Sequence, residues 1–99
     1  MARMDRVGLL DAVIAATKAT PDPEGVSDLV ASVGRINIAP SGAEVQAAVE
    51  RLKPLPGYRW IAINSGDLFT ASPLTLGSKV GIIDATGRVL KAADLPRAR

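Results

Sequence analysis

The chain has 99 residues, 47% of them apolar, with three aromatics, a formal charge of +2 and neither His nor Cys. That length sustains one modest core built from small aliphatic side chains and excludes a second. The missing imidazole and thiol remove the commonest acid–base group, the thiol nucleophile and the usual transition-metal ligands together, so no enzyme, metal site or cofactor is expected.

No apolar run approaches the roughly 20 residues of a membrane helix, and no signal-peptide core opens the chain, which points to a cytoplasmic protein without a membrane partner. From Asp5 to about Ala19, Val7, Leu10, Val13, Ile14 and Thr17 recur at helical spacing, with Leu9 widening the stripe and Asp5 as cap. Thr20 to Gly25 packs two prolines and a glycine into six residues, a loop signal. Ser27 can cap a second helix, with Leu29, Val30 and Val33 facing inward and an end between Gly34 and Asn37.

The clearest local signal is Pro40-Ser41-Gly42-Ala43-Glu44. Ser41 at the cap and Glu44 three residues on match a capping box, in which each side chain satisfies a backbone N–H. A third helix over 41–53 follows, with Val45, Ala48, Val49 and Leu52 on one face and a stop before Pro54. Tyr58 to Ile63 then reads as a strand, Asn64-Ser65-Gly66 as a hairpin turn and Asp67 to Ala71 as the returning strand. A second hairpin is expected from Lys79 to Ala92, turning at Asp84-Ala85-Thr86-Gly87, where Gly87 can take a positive φ. Residues 1–95 form a single domain in this reading, and Pro96 to Arg99 a mobile basic tail.

The run Asp28 to Asn37, the capped helix from Ser41 through Glu50-Arg51-Leu52, and a glycine before a β-hairpin resemble small bacterial winged helix-turn-helix domains over residues 6–72. The resemblance implies an α+β fold: three helices with a β-hairpin wing at 58–71, here joined by an extra C-terminal β-hairpin. It makes helix 41–53 the recognition helix, whose first turn would meet base edges in a DNA-binding member. That turn offers Ser41, Gly42, Ala43 and Glu44, so the useful donors are Gln46, Arg51 and Lys53, with Arg35 and Arg59 available to the phosphate backbone.

Charge is uneven. Residues 1–40 hold four basic and five acidic side chains, whereas residues 58–99 hold six basic and three acidic. Arg59, Lys79, Arg88, Lys91, Arg97 and Arg99 are therefore either a basic face or a solvated sheet edge with a basic tail. Tyr58 and Trp60 either stack on nucleobases beside Arg59 or anchor the strand in the core. Leu74-Thr75-Leu76 either covers the core or is an exposed apolar edge used in self-association. Gly77-Ser78-Lys79 lacks the upstream glycine of a phosphate loop and precedes a strand. Asp67, Ser78, Lys79 and Asp84 each have a turn or strand-end explanation.

These readings converge on a non-enzymatic binding module with a protein-interaction or assembly role, acting on a protein partner or by self-association. The alternative is a regulator that binds double-stranded DNA through helix 41–53 and hairpin 58–71.

Overall fold

The computed structural model describes residues 3–95; the expected tail at 96–99 lies outside them. The fold is α+β, with three helices and a six-stranded mixed sheet, larger than a hairpin wing. Helix α1 (Arg6–Thr17) leads to strands β1 (Thr20–Pro21), β2 (Leu29–Ala31) and β3 (Gly34–Ala39). Helix α2 (Gly42–Leu52), β4 (Arg59–Ile63), a 3-10 turn (Ser65–Asp67), helix α3 (Leu68–Leu74), β5 (Gly81–Ile83) and β6 (Val89–Lys91) follow.

The strands lie in sequence order. β3, β4 and β5 run parallel, and the flanking pairs are antiparallel. Parallel neighbours cannot be joined by a tight turn, so α2 carries the chain from β3 to β4 and α3 from β4 to β5. The sheet is covered on both faces. Leu9 and Val13 of α1 pack with Ile36, Ile38, Trp60, Ala62 and Ile83 on one side. Val45, Val49 and Leu52 of α2 and Ala71 of α3 pack with Ala39, Ile61, Ile63 and Ile82 on the other.

Several expectations hold. Asp5 caps α1 by accepting from the Gly8 N–H at 2.8 Å, α2 starts after Ser41, and the hairpin of β5 and β6 turns at Asp84–Gly87 with Gly87 at φ +81°. The capping box closes differently: the Ser41 hydroxyl donates to Glu44 Oε2 at 2.8 Å rather than accepting from a backbone N–H. On α1 the inward stripe centres on Leu9 and Val13, leaving Val7 65% exposed.

Two expectations fail. Residues 27–36, read as a second helix, contain β2 and the start of β3. Asp28 and Asn37 hold these strands together, since the Asp28 N–H donates to Asn37 Oδ1 and the Ile38 N–H to Asp28 Oδ2, both at 2.8 Å. Gly34 sits at φ +127°, where a Cβ would lie 2.2 Å from the Tyr58 carbonyl oxygen, so the backbones of β3 and the lead into β4 touch. Residues 58–71, read as a hairpin wing, are instead a central strand followed by a helix. All five residues of β4 are buried. With both faces covered, β4 has no polar side to mark it, and its continuation must cross the sheet rather than fold back.

Candidate functional site

The proposed nucleic-acid or partner residues fall on three elements, α2, β3 and β4, with Lys53 just after α2. Gln46, Arg51 and Lys53 lie on or just after α2 and are exposed. Arg51 meets Asp28 at 3.3 Å and Lys53 meets Glu50 at 2.6 Å, so each cation faces a carboxylate. Arg35 on β3 reaches Asp22 at 2.7 Å and Glu24 at 2.8 Å.

Asp22 is the hub of that cluster. Burial alone would raise its pKa, but N–H groups of Glu24 and Ser27, the Ser27 hydroxyl and the Arg35 charge outweigh it and hold the carboxyl at about 2. Arg35 is therefore committed to an intramolecular network. A phosphate would have to compete with two carboxylates already in place.

Arg59 is a correction. Expected at a surface, it is 1% exposed. Its guanidinium donates to the carbonyls of Leu52 (3.3 Å), Lys53 (3.2 Å) and Ser78 (2.9 Å), while Nε has no partner. Two of those acceptors are carbonyls at the end of α2, where the helix dipole favours a cation; the Leu52 carbonyl also accepts from the Leu55 N–H at 3.0 Å. Burial depresses its pKa. Arg59 therefore locks the end of α2 to the strands and contributes nothing to a basic face.

The aromatic pair divides. Trp60 is 9% exposed and its ring N–H donates to the Val33 carbonyl at 2.8 Å, a core position, while Tyr58 is 45% exposed. Of the residues weighed for acid–base chemistry, Asp67, Ser78 and Asp84 are engaged in hydrogen bonds and Lys79 lies 4.0 Å from Asp94. Asp67 is bound to Arg3, Asp84 accepts from Thr86 and Arg88 in the β5–β6 turn, and the Ser78 hydroxyl donates to the Thr75 carbonyl. Among the described residues no cluster of three or more His, Cys, Asp or Glu could hold a metal ion, and no helix is long and apolar enough to cross a membrane.

What the sequence reading missed lies on α3. Phe69, placed there on a returning strand, is 91% exposed on the outer face of the helix. Pro73 and Leu76 follow at spacings of four and seven, both exposed, with Leu76 at 72% and Leu74 at 39%. Leu74 and Leu76 thus belong to an apolar surface, one of the two alternatives for that segment. The whole stretch 68–78 contains no charged residue in a chain that is 22% charged. That eleven-residue gap was visible in the sequence. Its meaning depended on knowing that the segment is a helix with one side uncovered.

Comparison with protein-family models, with characterised proteins and with solved structures found no match. The functional reading rests on this geometry alone.

Proposed function

We propose that the protein is a non-enzymatic interaction module that engages another protein, a second copy of itself included, through the outer face of α3. The observation that carries this reading is Phe69, 91% exposed within the uncharged stretch 68–78. Interface cores are depleted of charge and enriched in aromatic side chains, and a buried aromatic anchor supplies a large share of the binding energy. A solvent-facing phenyl ring contributes little to the fold that carries it. The alternative reading as a DNA-binding regulator is weakened by the state of its cations, since Arg59 is buried and Arg35, Arg51 and Lys53 each face a carboxylate. Counterion release needs cations free to meet phosphates.

Sedimentation velocity over a concentration series, with labelled double-stranded DNA titrated at two salt concentrations, tests the reading. Wild-type protein is expected to gain mass with concentration, and Phe69→Ser to remain a monomer while its unfolding free energy changes by less than about 0.5 kcal/mol. DNA should not bind at micromolar protein. Salt-sensitive DNA binding that is lost when Arg51 and Lys53 are replaced by Glu would overturn the reading in favour of the regulator.

A further inference from the structure

A second site lies at the carboxyl ends of the parallel strands, beside the first turn of α3 but off its uncharged outer face. β3 runs out at Pro40 and β4 at Asn64. The site is filled by the chain's own residues 3–6. Asn64 is 8% exposed, and its side-chain amide pairs with one residue twice: Oδ1 accepts from the Met4 N–H at 2.9 Å and Nδ2 donates to the Met4 carbonyl at 3.0 Å. Nδ2 also donates to the Pro40 carbonyl at 2.9 Å.

The residue before Met4 is read by charge. Both guanidinium nitrogens of Arg3 meet Asp67, at 2.8 and 2.7 Å, and one of them also donates to the Pro40 carbonyl at 3.0 Å. A bidentate pair of this kind fixes geometry as well as charge, which a lysine cannot reproduce. Two residues on, Arg6 donates to Glu44 at 2.7 Å and to the Ile38 carbonyl at 3.2 Å.

These contacts have the pattern of a peptide clamp. A side-chain amide that both donates to and accepts from a single residue recognises main chain whatever the side chain, and Met4 as a residue remains 39% exposed. Asp67 then supplies the selectivity, for arginine one position earlier. We propose that Asn64, Asp67 and the Pro40 carbonyl form a binding site for a short arginine-bearing peptide segment, occupied in this structure by Arg3–Met4 of the same chain. The clamp shares no residue with the outer face of α3, and its test is independent of that reading.

Tethering sets the occupancy. A segment linked directly to its site competes at an effective concentration on the order of millimolar, so a free peptide cannot displace it from the wild-type protein at ordinary concentrations. The clamp must be vacated first. Arg3→Ala with Met4→Pro removes the bidentate pair and the N–H that Asn64 accepts, without touching the sheet.

The experiment is a nitrogen-15 NMR titration of the unlatched double variant with the peptide Ala-Arg-Met-Asp-Arg. Saturable binding is expected, with shifts of the Asn64 side-chain NH2 resonances, and at least about tenfold weaker binding to wild type. Replacing the peptide's first arginine by alanine, or Asp67 by Asn in the unlatched chain, should each weaken binding by about tenfold. If the double variant loses its folded spectrum, Arg3→Ala alone frees Asp67 while Met4 still holds Asn64, and the same peptide pair should then bind more weakly but with the same preference for arginine. No binding to a folded unlatched chain, or binding indifferent to the peptide arginine or to Asp67, would overturn the proposal.

Discussion

At the amino ends of β3 and β4 one buried cation, Arg59, gathers three carbonyls, whereas at their carboxyl ends the work is shared between one buried amide, Asn64, and two ion pairs whose arginines, Arg3 and Arg6, are half exposed against Asp67 and Glu44. The first arrangement is internal: if Arg59 is lost, the Lys53 and Ser78 carbonyls lose the donor it supplies and the Leu52 carbonyl keeps only the Leu55 N–H. The second is distributed. Arg3 and Arg6 are about half exposed, so water replaces much of what each pair loses. One end of the sheet is thus fixed and the other can open without unfolding the molecule, which is the property a clamp requires.

The largest test of that contrast is Gly34→Ala, at the fixed end. A Cβ there would sit 2.2 Å from the Tyr58 carbonyl oxygen at a φ of +127°, so neither side-chain rotation nor local relaxation can relieve it. A loss of about 4 kcal/mol or more is expected in urea denaturation, or no folded protein at all. Next is Arg59→Ala, for which we expect a loss of about 3 kcal/mol, since it removes three bonds and opens a cavity. Arg59→Met should cost less, about 1–2 kcal/mol, because it refills the space and removes a buried charge that no carboxylate pairs. If the alanine variant loses under 1 kcal/mol, the fixed end is no anchor and the comparison collapses.

Moving to the carboxyl ends, Asn64→Ala should cost about 1–2 kcal/mol, the usual penalty for leaving buried partners unpaired. Its distinguishing sign is local. Hydrogen exchange at Met4 should accelerate while the amides of β4 stay protected, because the segment 3–5 would detach from a sheet that remains folded. Equal acceleration in β4 would mean that both ends unfold together.

How much of this arrangement could be read beforehand follows from where each signal lives. The capped helix at Ser41 and the turn at Gly87 were legible because caps and positive-φ glycines are local chemistry. Residues 27–36 were not. Leu29, Val30 and Val33 fit a helical stripe, but Ile36 and Ile38 alternate about Asn37, and the choice between them was made by long-range pairing with β4. β4 itself misled for a related reason: Arg59 read as a cation available to a phosphate backbone, yet the end of α2 buries it. The site residues suffered accordingly. A cation's charge is written in the sequence, but whether it faces solvent, a carboxylate or a helix end is decided by partners 6 to 23 residues away, as Arg35, Arg51 and Arg59 illustrate.

The smallest expected effect is also the most selective, because it separates the two ends by pH. Asp67 is held below the ordinary carboxylate range chiefly by the hydrogen bonds from Arg3, with the Arg3 charge adding to them against burial. Glu44 is lowered in the same way by Arg6 and by the Ser41 hydroxyl. A depressed folded-state pKa contributes stability that is present above the unfolded value, near pH 4, and is lost as pH falls through the folded one. The bonds of Arg59 to carbonyls do not titrate in that range. The difference in unfolding free energy between wild type and Asp67→Asn should therefore be constant from pH 7 to 5, about 0.5–1 kcal/mol for so exposed a pair, and should shrink below about pH 4. Over the same interval the wild-type and Arg59→Met proteins should keep a fixed difference. If that second difference also closes in acid, Arg59 is sensing a carboxylate, and the distinction between a fixed and a releasable end loses its electrostatic basis.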